Sequence, residues 1–169
     1  GASTAFGDHL AANPELWREL EKPLPQPEEM LQSLLGAVDA QPAEFAQDID
    51  RPDPAREDLS APGTYRAGEG EHKQALRTTY RTLMMRIAAC DVAGTFHARK
   101  GQTTPQPEVG FRQITALTTA LADAALTASL ACAVRTIYGD EPVDAQLAVM
   151  AMGKCGAGEL NLSLIHILT

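Results

Sequence analysis

The sequence predicts a mainly α protein: a helical bundle whose long helices lead into the first strand and glycine turn of a truncated α+β domain. Three observations carry that expectation. Apolar residues recur at three- and four-residue spacing through two long stretches, as on the buried face of a helix. Aromatic residues make up only 5% of the 169 while alanine is abundant, which favours helices packed closely through small side chains over a sheet sandwich. The last apolar run, residues 147–152, is followed at once by Gly153, Gly156 and Gly158, the composition of a strand that turns sharply.

Ser3 or Thr4 can cap a first short helix that reaches Asn13, where Pro14 interrupts it and a further turn follows around Leu16, Trp17 and Leu20. Phe6, Leu10, Leu16 and Trp17 are its expected core anchors. Pro23, Pro25 and Pro27 make an extended spacer. Pro27 suits a first helical position, because the N–H it lacks would go unbonded there anyway. The helix predicted over 28–38 carries Met30, Leu31, Leu34, Leu35 and Val38 on one face, with Glu28 and Glu29 at the positive end of its dipole. Residues 1–50 thus form an N-terminal helical segment, and 51–70, rich in Pro, Gly, Asp, Glu and Arg, reads as a solvated linker.

The region 71–140 is expected to hold two long helices. Over 71–93 the stripe is Leu76, Tyr80, Leu83, Met84, Ile87 and Val92, with Gly94 ending the helix and Lys73, Arg77, Arg81 and Arg86 largely on the solvated face. Residues 97–107 read as a polar loop with Gly101, Pro105 and Pro107. A helix over 108–138, about 45 Å long, then presents Phe111, Ile114, Leu117, Leu121, Ala125, Ala128, Cys132 and Ile137 on one broad face. Gly139, Asp140 and Pro142 mark its stop.

Composition narrows the chemistry. A net charge of −8, a pI near 4.9 and the lack of a Lys/Arg cluster argue against nucleic acid or an anionic membrane as partner, and favour a protein or a small anion. No stretch reads as a membrane span of about 20 apolar residues, and the first 20 residues lack signal-peptide character. Cys90, Cys132 and Cys155 are odd in number and lack CxxC spacing, so they read as reduced core or turn residues of a cytoplasmic protein. His9, His72, His97 and His166 show no HExxH or HxH pattern and read as packing or exposed residues, leaving no metal ligand among them.

Residues 147–161, LAVMAMGKCGAGELN, carry the chemistry. A strand, a glycine turn and a helix opened by Glu159 and Leu160 would bring backbone N–H groups and Lys154 toward a phosphate, the arrangement by which nucleotidyltransferases hold a triphosphate. A dinucleotide-binding reading is weaker, because the glycines follow G-x-x-G-x-G order and no downstream ribose-binding acid is left.

The motif MGKCGAGELN resembles the opening of the nucleotidyltransferase domain in the glutamine synthetase adenylyltransferase family. The start, STAFGDHLAANPELW, and the helix LRTTYRTLMMRIAACDVAG resemble that family more loosely. The resemblance implies a phosphate-approach loop of Gly153, Lys154, Gly156, Ala157 and Gly158, with Glu159 and Asn161 holding the helix start. It also implies an Asp-x-Asp metal pair at positions 165 and 167, where this chain has Ile165 and Ile167. Gly158 stands where the family commonly has a basic residue. Residues 162–167, LSLIHI, match what a transposon-end sequencing adaptor encodes in one frame, so 162–169 are read as a non-native tail. The chain opens on Gly1 in place of Met and is read as truncated at both ends.

For the intact parent, the resemblance implies a cytoplasmic enzyme that uses Mg²⁺ with ATP, ADP and phosphate. It would act on glutamine synthetase, with a nitrogen-signalling regulatory protein as a further partner. The ELN after the glycines resembles the adenylyl-removing half, in which orthophosphate releases AMP from a synthetase tyrosine as ADP. This chain, without the aspartates, is expected to bind none of these cofactors and to have no catalytic residue. The alternative is a non-catalytic helical interaction module in which residues 1–140 dock the synthetase or a regulator.

Overall fold

The computed structural model describes residues 2–46, 65–100, 110–145, 147 and 149–160. Helix α1 spans Ala2–Ala12, and a 3-10 helix, Pro14–Glu21, follows with Pro14 at its start. α2 is Pro27–Gly36, β1 Gln41–Pro42, β2 Tyr65–Arg66, α3 Lys73–Lys100, α4 Phe111–Tyr138 and α5 the single turn Gly153–Gly156. The protein is mainly helical, as its alanine-rich, aromatic-poor composition predicts.

The chain divides into two compact units, each assembled from separate stretches of sequence. One comprises Glu28–Thr79 and Ala122–Met150. Its core is Met30, Leu34, Leu35 and Val38 at the predicted helical spacing, with Ala67, Ala124, Ala128, Ala131, Val134 and Val143. Small alanines let backbone come close to α4: the Ala67 N–H donates to the carbonyl of Ala131 at 2.9 Å. β1 and β2 pair antiparallel, Gln41 opposite Arg66 and Pro42 opposite Tyr65. A parallel bridge joins Phe45 to Val143, with the Val143 N–H donating to Glu44 and the Ala46 N–H to Val143. Residues 65–68, predicted as solvated linker, therefore carry ordered structure, because backbone pairing and the burial of Ala67 outweigh their polar composition. Residues 51–64 lie outside the described residues.

The other unit comprises Gly1–Pro27, Tyr80–Leu121 and Ala151–Thr169. Leu83, Met84, Met85, Ile87, Ala88, Ile114, Leu117 and Leu121 are buried there. Arg86 corrects the expected solvated face: it is buried, and one Nη of its guanidinium donates to the Pro23 carbonyl at 2.7 Å, a charge-assisted bond to backbone. Trp17 is 51% exposed, its ring under the Arg18 guanidinium, so the expected anchor is instead a surface residue. His9 takes the inward place, 3.2 Å from the Thr82 hydroxyl. Burial, and then the charge of Arg81, hold its pKa below the usual histidine value.

Both long helices differ at their edges from the predicted spans. α3 continues through Gly94 and His97 to Lys100, since one helical glycine costs only about 1 kcal/mol and the hydrogen-bond ladder carries across it. Residues 101–109 lie outside the described ones. In α4, Ile114, Leu117, Leu121 and Ala128 keep the predicted face, while Phe111 and Ile137 at its ends are 71% and 72% exposed. Threonines fill the remaining buried positions: the hydroxyls of Thr118, Thr119 and Thr127 donate to the carbonyls of Ile114, Thr115 and Asp123. This corrects the expectation that no stretch is membrane-like, because α4 is long and apolar enough to cross a membrane, with half of its most apolar window buried inside the protein. Gly139 ends α4 at φ +56, a left-handed conformation suited to glycine. Arg135 locks that end, donating to the carbonyls of Ala67 and Gly139 and to the Asp140 carboxylate.

The predicted strand at 147–152 does not form among the described residues, 147 and 149–152, which have no strand pairing. Leu147, Val149, Met150 and Met152 are exposed, the two methionines by 87% and 84%. Apolar character alone does not make a strand; its N–H and C=O groups need neighbouring strands.

Candidate functional site

The glycine turn is built by three backbone requirements. Gly153 sits at φ +59 and Gly158 at φ +69, left-handed conformations that side chains disfavour. At Gly156 space is the constraint: a Cβ there would lie 2.3 Å from the Ala151 carbonyl oxygen. The chain enters through Met152 in extended conformation, makes the single turn α5 and leaves at Gly158. The helix therefore precedes Gly158, where Glu159 and Leu160 were expected to open one; the left-handed Gly158 closes the turn, and both residues follow it without regular structure.

Four donors of the turn are bonded within it. The N–H groups of Gly156, Ala157, Gly158 and Glu159 donate to the carbonyls of Met152, Gly153, Cys155 and Lys154, at 3.4, 3.0, 3.1 and 2.7 Å. Lys154, Ala157 and Glu159 have exposed side chains, and Cys155 is half-buried. Of the predicted loop residues, Gly153, Lys154, Gly156, Ala157, Gly158 and Glu159 are thus brought into one turn. Asn161 lies outside the described residues, as does the tail, 162–169.

Sequence reasoning missed the contact that holds the exit of the turn. The Leu160 N–H donates to the hydroxyl of Thr119 on α4 at 3.3 Å, and that hydroxyl donates to the Thr115 carbonyl at 2.9 Å. The trace of it in the sequence is a cluster of threonines, Thr115, Thr118 and Thr119, on the mostly apolar first half of the helix.

The remaining titratable groups suit structural roles. Burial pushes the Cys90 and Cys132 thiols up, with Arg86 partly opposing this at Cys90, so both favour the neutral thiol, which is a poor nucleophile. The Tyr138 hydroxyl is raised chiefly by its hydrogen bond with Asp144. At positions 165 and 167, where the resemblance implies a carboxylate pair for a divalent cation, Ile165 and Ile167 offer no side-chain ligand atom. No group of three His, Cys, Asp or Glu residues is placed to hold a metal among the described residues.

Comparison with known proteins places these features in context. The family model described as glutamate-ammonia ligase adenylyltransferase matches residues 1–164. A bifunctional glutamine synthetase adenylyltransferase/adenylyl-removing enzyme of Corynebacterium diphtheriae is 49% identical over 181 aligned residues, covering 95% of this chain and 17% of that protein. The proteins of the same description from Corynebacterium efficiens and Nocardia farcinica are 50% and 41% identical, each over 95% of this chain and over 16% and 14% of their own lengths. The chain thus spans about a sixth of the length of these curated Corynebacterium relatives. No solved structure matches it.

Proposed function

The chain belongs to the glutamate-ammonia ligase adenylyltransferase family, and from that membership we propose that it is a segment of an enzyme that adds AMP to, and removes it from, a tyrosine of glutamine synthetase. Residues 145–161 would be the start of the nucleotidyltransferase domain in the adenylyl-removing half, where orthophosphate displaces the tyrosine oxygen from the adenylyl phosphorus and gives ADP. The observation that carries this reading is the close sequence likeness across 95% of the chain, joined to a turn whose Gly153, Gly156 and Gly158 each meet a specific backbone demand. A turn with left-handed backbone at Gly153 and Gly158 and no room for a Cβ at Gly156 is suited to close approach by a phosphate.

The parent enzyme would work in the cytoplasm with Mg²⁺ and ATP, ADP or phosphate, on glutamine synthetase and under a nitrogen-signalling regulatory protein. Such transfers would depend on metal cations that neutralise phosphate charge and are held by carboxylates, side chains that Ile165 and Ile167 cannot supply. The chain by itself is therefore inactive. Incubated with adenylylated glutamine synthetase, orthophosphate and Mg²⁺, it should release no ADP above a protein-free control, whereas the uninterrupted parent, with Asp at both positions, should release ADP. ADP from the chain alone, or a parent with two aspartates that fails to produce it, would overturn this assignment.

One observation favours the second reading, a helical interaction module: four consecutive N–H groups of the turn, Gly156 to Glu159, are bonded within the turn and not offered to a ligand. On that reading the chain binds glutamine synthetase in a pull-down without any nucleotide, and the parent's native sequence keeps isoleucine at 165 and 167.

A further inference from the structure

We propose that Thr119 is the positioning residue of the glycine turn, fixing its exit to α4 through one hydroxyl that serves two bonds. The significance for nucleotide chemistry rests on the reading above; the positioning itself rests on geometry alone. The turn is internally bonded from Gly156 to Glu159, and these four hydrogen bonds do not by themselves fix where it lies. Residues 149–152 before it are exposed and carry no strand pairing. Immediately after it, the Leu160 N–H reaches the Thr119 hydroxyl, which is itself oriented by donating to the Thr115 carbonyl one helical turn earlier. That donation points an oxygen lone pair away from the helix axis and toward Leu160. A hydroxyl with its proton committed to the helix is left as an acceptor, which is what an incoming N–H needs.

Thr119 is buried, and the bond it accepts from Leu160 is partly shielded from competing water. Thr118, its neighbour, differs: its hydroxyl donates to Ile114 in the same manner, but it is fully buried among apolar residues. The pair therefore provides an internal control. A valine at either position keeps the β-branched shape and removes the hydroxyl.

The test uses the whole chain, isotopically labelled, with amide exchange and amide chemical shifts as readouts. In Thr119→Val the Leu160 amide should exchange about fivefold faster, the loss expected for one net hydrogen bond, and the Gly153, Gly156 and Gly158 signals should shift. Thr119→Ser should restore both, since it returns the hydroxyl. Thr118→Val should leave the turn signals where they are. An unchanged Leu160 amide in Thr119→Val, equal turn shifts in Thr118→Val, or failure of serine to rescue would each sink the proposal. Should Thr119→Val not fold, the serine variant and Thr118→Val still decide the matter, because the first must preserve the Leu160 bond and the second must not disturb it. None of these readouts requires nucleotide, so their failure is separate from a failure of the ADP-release assay.

Discussion

Residues 111–138 and 147–160 are both rich in apolar side chains, yet only the first buries them. α4 closes its backbone bonds within itself and can pack Ile114, Leu117 and Leu121 without help from another strand. The run from Leu147 to Met152 would need neighbours to pair its backbone, and its methionines stand exposed. Apolar content gives a segment a reason to be buried; whether it can be depends on where its backbone hydrogen bonds go.

The sharpest way to break this contrast is a core truncation. Leu121→Ala should cost about 3 kcal/mol, since Leu121 is fully buried and removing three carbons leaves a cavity as well as losing transfer free energy. Urea denaturation would show it as a lower midpoint. A cost below about 1 kcal/mol would mean that α4 is packed no better than the exposed run. Next in size is Gly156→Ala, whose Cβ would collide with the Ala151 carbonyl. The damage should stay in the turn: amides of Gly156 to Glu159 lose roughly tenfold protection from exchange, while the thermal midpoint moves by no more than about 2 °C. A general loss of protection along α3 and α4 would show that the turn is part of the core.

The helical half of this contrast was legible in the sequence because helix signals are local. Pro27, the Met30 to Val38 stripe and the stop at Gly139 each depend on residues a few positions away. The expected helix face failed at Arg86 and Trp17, where burial depends on what distant segments offer: the Pro23 carbonyl accepts a bond from the arginine, and nothing in the spacing announces that. The site was legible to the same degree. Three glycines predicted a turn, but its helix lies before Gly158, and the Leu160 bond to Thr119 spans 41 residues with no periodic signal to reveal it.

A smaller effect concerns pH. His9 has its pKa lowered, first by burial and then by Arg81, so the unfolded chain binds a proton more readily than the folded one. Stability from this group is complete above the ordinary histidine value near 6.5, and falls as pH drops from there toward the lower folded value. His9→Gln should flatten the stability profile below about pH 6.5, measured by urea midpoints at each pH. A profile equally steep in the variant would assign the slope to other groups.

The smallest effect expected is the most direct test of the exposed run. Met150 and Met152 are among the most exposed large apolar residues described, so truncating them removes almost no buried area. At roughly 25 cal/mol per Å² of apolar surface withdrawn from water, a side chain that is already hydrated has little to lose, and Met150→Ala with Met152→Ala should change stability by less than about 0.5 kcal/mol. Alanine also leaves the extended backbone free to adopt the same conformation, so no strain term is added. The same double substitution in the uninterrupted parent is the informative partner experiment. There a loss of about 2 kcal/mol or more would indicate that the run becomes a paired, buried strand once neighbouring strands are present. Equal, negligible effects in both proteins would mean that the run stays exposed even in the parent, and that pairing is not what it lacks.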